Sequence, residues 1–352
     1  MRWGIAGTGT VAALFAEALA DAPGAELAAV ASRSRARADA FAAAWGARRA
    51  HEGYDALARD AAVDVVYVAT PSTDHHATAT RMLEAGKPVL VEKPFTVDAR
   101  EAREVVELAR RKRLFCMEAM WMRFVPAVRE LVERVQRGDV GDARSATIEL
   151  GHPFAFDPSH RLFDAALGGG ALLDLGPYPV SLAVQLFGPP ERVQGQASFA
   201  ANGVDETVSA ILAHAGGRQS VVAVSLRTRL SNGAVVAGTD GLAELHEPLY
   251  RAESFSIVAA SKLALPRGAE GARLGRRLRR VVQRARAVLL APRRARARTV
   301  VRRCRGSGYQ YQAIEAMRCL RAGEPESPLM PLEDTLRAME TLDAIRAGWK
   351  LP

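Results

Sequence analysis

Apolar runs and amphipathic stretches alternate along the first third of the chain. Trp3–Ala6 reads as a strand, followed by the turn Gly7-Thr8-Gly9-Thr10-Val11-Ala12 and an alanine-rich helical pattern over Ala13–Ala20. Glu26–Ser32 (ELAAVAS) reads as a second buried strand, Ala36–Trp45 as a helix and Tyr54–Arg59 as a short helical turn. Val63–Thr70 (VDVVYVAT) is a β-branched run suited to a buried parallel strand. A helix over Ala77–Ala85, a strand over Lys87–Val91, a helix over Ala99–Arg111 and a strand over Leu114–Glu118 continue the pattern. Strands and helices in strict turn predict a parallel, doubly wound sheet.

After an amphipathic helix over Val128–Arg137 the pattern changes. Ala143–Leu150, Arg192–Phe199, Glu206–His214, Gln219–Leu226, Gly233–Gly238 and Leu242–His246 read as strands separated by Gly and Asn turns. They predict one large, mostly antiparallel sheet. The fold class is therefore α/β: an N-terminal Rossmann-type doubly wound sheet over residues 1–120 and an α+β domain over 121–352. A length of 352 residues suits two domains, and 49% apolar residues can fill their cores.

Strand, glycine turn and helix in that order form the dinucleotide fingerprint, with Ala12 in its third small-residue slot. Gly7 permits the tight turn, and Gly9 leaves room for a pyrophosphate. Thr10 and Val11 open the helix whose N–H groups and partial positive charge face the phosphates. An acid is expected about 20 residues on, to bind the ribose 2′-hydroxyl. The chain instead has Ser32-Arg33-Ser34, with Arg35 and Arg37 close behind. A carboxylate repels a 2′-phosphate, whereas a hydroxyl and a guanidinium fork bind it, so NADP is favoured over NAD. A solvated arginine loop is the alternative. Ligands of such sheets sit outside the carboxyl ends of the strands. Thr70, Pro71, Ser72 and His75, the Glu92-Lys93 pair, and Glu118–Arg123 all follow strand ends and should line the glycine turn's crevice.

Composition narrows the picture in two ways. Cys116, Cys304 and Cys319 are odd in number and lack ligand spacing, which predicts neither a disulfide framework nor a zinc site. Met1 runs almost directly into the first strand, leaving no room for a signal peptide. No apolar run suits a bilayer span, so a cytoplasmic location is expected. The net charge of +9 is concentrated: Lys262–Arg305 holds 16 Lys and Arg against Glu270 alone, and the remaining chain is −6. Within it Leu274, Leu278, Val281, Val282, Ala285, Val288 and Leu289 recur at helical spacing among arginines, a basic amphipathic helix. It suits docking on an anionic membrane or nucleic acid. The plainer reading is an accessory helix packed on its own domain, with solvated arginines and no aromatic interleaving.

The motifs TPSTDH (70–75) and AGKPVLVEKP (85–94) resemble the Gfo/Idh/MocA family of NAD(P)-dependent oxidoreductases, with Ser72 in place of a common Asn. EAMWMRFVP (118–126), D-x-G-x-Y (Asp174 to Tyr178) and the closing segment from Gly306 extend the resemblance to nearly all of the chain except about 262–305. Tyr at 178, where many relatives have His, is similar to the branch that oxidises cyclic diols and aldoses. Tyr311-Gln312-Ala313 stands for a common Y-E-A and reads as a surface change.

The resemblance implies a sugar or cyclic diol substrate and a homodimer or higher homo-oligomer formed through the second sheet. It implies Trp121 as a flat wall for the substrate ring and Arg123 as a substrate or cofactor contact; interdomain packing is the alternative for both. Asp174 and Tyr178 are four apart and would share a helix face. Removing a hydroxyl proton while hydride leaves the same carbon needs a base, yet tyrosine ordinarily titrates near 10. A Lys93 ammonium and a cationic nicotinamide would both lower that value. Tyr178 is accordingly the expected general acid/base, Lys93 its electrostatic partner and Asp174 the orienter; which of Lys93 and Tyr178 leads is left open. His152 and His160 read as polar loop histidines, and no cluster has metal-ligand spacing. Two other functions remain: a non-catalytic NADP-sensing regulator, and an NAD-dependent glycosidase of the same family.

Overall fold

The computed structural model describes residues 1–260 and 297–349. The first sheet consists of β1 (Arg2–Ala6), β2 (Glu26–Ser32), β3 (Arg49–Glu52), β4 (Val65–Val68), β5 (Val89–Glu92) and β6 (Cys116–Ala119). Their order is β3-β2-β1-β4-β5-β6, and every neighbouring pair is parallel. Helices α1 (Thr10–Leu19), α2 (Arg35–Trp45), α3 (Tyr54–Ala58), α4 (His75–Glu84) and α5 (Ala99–Lys112) make the crossovers. This is the doubly wound order whose direction reverses between β1 and β4, where a dinucleotide crevice opens. β3, reading RAHE, is an edge strand without a fully buried residue. No apolar run announces it, which is why it escapes a sequence reading.

The core of this half begins beside the glycine turn. Trp3 of β1 meets the Phe15 edge at 5.2 Å, and Phe15 stacks on Tyr67 of β4 at 3.7 Å. All three are fully buried. Aromatic pairs of this kind add about 1 kcal/mol beyond their buried area. They fix α1, and with it the glycine turn, against the sheet.

The second sheet has eight strands, with order β14-β13-β12-β11-β7-β10-β9-β8. Its strands are β7 (Ala143–Gly151), β8 (Pro190–Phe199), β9 (Asp205–His214), β10 (Arg218–Ser225), β11 (Ala234–Gly238), β12 (Gly241–Leu245), β13 (Ser254–Ala259) and β14 (Arg298–Val301). Only β7 and β10 run parallel; the other pairs are antiparallel. One face is covered by helices, among them α6 (Pro126–Gln136), α8 (Pro177–Phe187) and the closing α10 (Leu332–Ala347). The short α7 (Ala171–Asp174) and α9 (Gln310–Ala322) complete the set.

One expectation changes here. Arg298–Val301, assigned to the basic insert, is an edge strand paired with β13. The amphipathic helix expected over Leu274–Leu289 lies outside the described residues. Among the described residues, no helix is long and apolar enough to cross a membrane. The three cysteines are all buried and unpaired.

Candidate active site

The cofactor end of the site is built by the backbone. Gly7 has φ +116°, and a Cβ there would stand 2.3 Å from the Ala69 carbonyl. Only glycine fits that crossing of β1 over the end of β4. Gly9 is different: a Cβ built on it meets nothing within 4 Å. The space above it is open, and α1 starts there without a side-chain cap. Its first N–H groups are thus free to receive a phosphate. Thr8, Gly9, Thr10 and Arg37 line a groove of about 450 Å³ against α2. At the end of β4, the buried Thr70 hydroxyl has no hydrogen-bond partner, leaving a polar atom for a ligand. These residues fit a bound dinucleotide.

Ser32 is buried at the end of β2, within 3.5 Å of the Thr8 hydroxyl. Arg33 and Arg37 are exposed and form no ion pair among the described residues, whereas Arg35 is bound by Asp39 at 2.9 Å.

Other expected cofactor contacts are occupied by the protein itself. The buried His75 ring sets its two nitrogens 2.8 Å from the Pro94 carbonyl and 3.0 Å from the Thr70 carbonyl, and as a neutral imidazole donates to one of them. It ties two strand ends together, and burial lowers its pKa. Glu92 is buried and accepts the Tyr67 hydroxyl and, at 3.1 Å, the Lys93 N–H. Burial raises its carboxyl to about 7. Ser72 donates to the Leu167 carbonyl at 3.2 Å, reaching into the second half of the chain. These three brace the crevice walls.

The chemical end gathers on Lys93. Its ammonium donates to the Asp174 carbonyl oxygen at 2.7 Å and lies 3.9 Å from the same residue's carboxylate. It also stands 5.0 Å from the centre of the Tyr178 ring. Arg161 holds the Asp174 carboxylate at 3.0 Å. Burial alone would raise Asp174, but the charges of Lys93 and Arg161 outweigh it and its pKa falls. Asp174 and Tyr178 do not share a helix as expected. α7 ends at Asp174 and α8 begins at Pro177, so the two flank an interruption between helices and meet through Lys93. Burial pushes the Tyr178 hydroxyl well above its usual range, and the Glu92 charge adds to this. This is the reverse of the lowering expected from Lys93. It keeps the phenol protonated.

For Trp121 and Arg123 the structure agrees with the packing alternative. Trp121 is 4% exposed, stacked on Tyr309 at 4.6 Å and tilted against Tyr250 at 5.7 Å. Its faces belong to protein aromatics, so it offers no open wall. Arg123 is buried, bonding Ser181 at 2.8 and 2.9 Å and Asp334 at 2.7 Å. With its guanidinium committed to α8 and α10, it joins helices and leaves no fork for a ligand. Gln312 is fully buried, not the surface change expected, because α9 turns it inward. His160 accepts the Leu162 N–H at 3.3 Å as a local cap.

Sequence reasoning missed Tyr250, Tyr309, Arg161 and Tyr67. Tyr250 packs on Tyr178 at 5.6 Å and on His152 at 6.1 Å. It sits in a short 3-10 turn, Leu249–Arg251, with no motif, and only the fold brings it to the cleft. Tyr309 lies within the recognisable GYQYQ stretch, where its aromatic character was the available signal. Among the described residues, no group of three His, Cys, Asp or Glu side chains is placed to hold a metal.

A doubly wound sheet with an open glycine turn, and a Lys–Tyr–Asp constellation at its carboxyl edge, define a nicotinamide-dependent oxidoreductase. More narrowly, the chain belongs to the Gfo/Idh/MocA family. The family model described as an oxidoreductase family with an NAD-binding Rossmann fold matches residues 1–120, and that of the GFO/IDH/MocA C-terminal domain matches 128–244. The chain is similar to trans-1,2-dihydrobenzene-1,2-diol dehydrogenase of Macaca fuscata fuscata, at 35% identity over 98% of this chain and 96% of that protein. The Homo sapiens enzyme of that name is 33% identical over the same shares. Among solved structures, KijD10, a 3-ketoreductase from Actinomadura kijaniata in complex with NADP and TDP-benzene, superposes with TM-score 0.80 at 25% identity, covering 99% and 98% of the two chains. A levoglucosan dehydrogenase in complex with NADH and levoglucosan has TM-score 0.82 at 20% identity, covering 99% and 96%, a likeness of fold.

Proposed function

We propose that the chain is an NADP-dependent dehydrogenase acting on a secondary alcohol or hemiacetal carbon of a sugar or cyclic trans-diol. The observation that carries this reading is the Lys93 ammonium, held by the Asp174 carbonyl and set against the Tyr178 ring at the crevice mouth. When bound, the nicotinamide supplies the hydride acceptor or donor. Arg33 and Arg37 support NADP, since two exposed guanidiniums without an ion pair among the described residues suit a 2′-phosphate. Gly9, Thr10, Val11, Thr70 and Pro71 border the space for the rest of the cofactor.

Lys93 polarises the substrate oxygen, and Asp174 anchors Lys93 from the other half of the chain. The protonated Tyr178 gives its proton to that oxygen as a carbonyl is reduced; in the oxidising direction the residue must first lose that proton, and its phenolate then accepts the alcohol's. The aromatic cleft around Tyr178, Tyr250 and His152 gives a small cyclic substrate apolar walls. We assign the cofactor domain to 1–120 and the substrate domain to 121–352, in a reduced cytoplasmic setting.

The substrate domain is also proposed to form a homodimer. Its open sheet face presents Ile211, Val221 and Val235, 47%, 40% and 38% exposed, and Val221 is paired with Ile211 and Thr147, itself paired with Val235. An apolar row across an uncovered sheet is a site for a partner.

The test is NADPH formation with a panel of aldoses and trans-dihydrodiols, comparing wild type with Lys93→Ala and Tyr178→Phe. Turnover by wild type, lost in both variants with cofactor binding retained, supports the reading. Cofactor binding without turnover of any substrate favours a sensing role instead.

A further inference from the structure

Trp121 cannot serve as a platform, and its only polar atom points elsewhere. Its Nε1–H donates to the Tyr178 hydroxyl at 3.0 Å. The ring is held on several sides: Tyr309 stacks on it, Tyr250 tilts against it, and the Gly308 backbone closes over its edge. Gly308 has φ +98°, and a Cβ there would lie 2.8 Å from Trp121 Cζ3. The indole therefore has little freedom to swing its N–H away from Tyr178.

An indole N–H donates and cannot accept. Its bond therefore uses a lone pair of the Tyr178 oxygen, and the phenol proton cannot point back along it. No other hydrogen bond reaches the Tyr178 hydroxyl among the described residues. We propose that Trp121 is a positioning residue: its N–H turns the Tyr178 proton into the cleft and stabilises the phenolate left once that proton has moved. The oxygen gains charge as the O–H bond breaks and the proton joins the substrate oxygen, so a fixed donor is worth more after transfer than before. This rests on Tyr178 as the acid/base of the proposed reaction.

The experiment uses Trp121→Phe, and replacement of Trp121 by benzothienylalanine, which keeps the ring shape and puts sulfur in place of the N–H. Both are assayed with trans-1,2-dihydrobenzene-1,2-diol and NADP, alone and in a Tyr178→Phe background. Circular dichroism and cofactor binding verify that each variant is folded. Ultraviolet difference absorbance against Tyr178→Phe follows the phenolate in cofactor-saturated protein, without turnover. Loss of the N–H should lower kcat roughly tenfold with little change in KM. It should raise the pH midpoint of both the phenolate signal and the rate profile by about one unit, the scale of a hydrogen bond to a charged group. In the Tyr178→Phe background it should cost nothing further. The proposal is overturned by an unmoved midpoint with only KM raised, or by an equal loss in both backgrounds. Full activity in Tyr178→Phe alone instead removes the acid/base reading beneath it.

Discussion

Lys93 Nζ reaches the main-chain carbonyl of Asp174 at 2.7 Å, a bond between residues 81 apart in sequence. It ties the end of β5 to the end of α7, so the lysine is held by the other half of the chain. The carbonyl fixes the ammonium without neutralising it. The Asp174 carboxylate is drawn to Arg161 at 3.0 Å and stays 3.9 Å from Lys93. Much of the Lys93 charge is thus left for the cleft.

The two fingerprint glycines should fail differently. Gly9→Ala meets open space at an ordinary backbone conformation, so apo stability should stay near wild type while cofactor affinity drops at least roughly tenfold. Gly7→Ala drives a methyl into the Ala69 carbonyl at positive φ and should destabilise the apo protein by about 2 kcal/mol. Calorimetry of both variants checks this. A Gly9→Ala protein that binds the cofactor normally would place the pyrophosphate elsewhere.

Arg33→Ala should weaken NADP by roughly 10- to 100-fold, the loss of a charge-assisted contact, and barely change NAD. Titration of each cofactor by nicotinamide fluorescence separates the two. Equal effects would end the 2′-phosphate assignment.

Arg123→Met leaves Asp334 and Ser181 without their buried partner. A loss of about 3 kcal/mol of stability is expected, seen as a lower thermal midpoint. Substrate KM in the folded protein should hold. A raised KM at unchanged stability would return Arg123 to the substrate.

Glu118 is buried with one oxygen unpartnered, and burial raises its carboxyl to about 7. A raised acid favours the protonated folded form. The stability this brings is complete below the ordinary glutamate value and fades as pH rises through about 7. Glu118→Gln stays neutral throughout. Its stability should gain on wild type between about pH 4.5 and about pH 7, by on the order of 3 kcal/mol at the upper end, and level off above that. A constant gap would show that Glu118 ionises without cost.

Ile211→Glu with Val221→Glu puts two charges on the open sheet face, where the native side chains are half-exposed. Sedimentation should show wild type as a dimer and the double variant as a monomer with an unchanged circular dichroism spectrum. A monomeric wild type would remove this interface.

The sequence by itself determined the alternation of strands and helices, the glycine turn, the two sheets and the place of Lys93 at a strand end. Each is written in local spacing: a period, a turn residue, a motif at a strand end. The edge strands β3 and β14 escaped because edge strands need no apolar run, and the inner strand β13, Ser254–Ala259, escaped as well. What only the tertiary structure decided is how side chains far apart in sequence use their polar atoms. Trp121 and Arg123 share one motif, yet the indole serves Tyr178 and the guanidinium is committed to Ser181 and Asp334. Asp174 and Tyr178, which read as one helix face, are split by the helix break at Leu175-Gly176 and meet through Lys93. Burial and hydrogen-bond partners are set by packing between distant segments, and no local pattern encodes them.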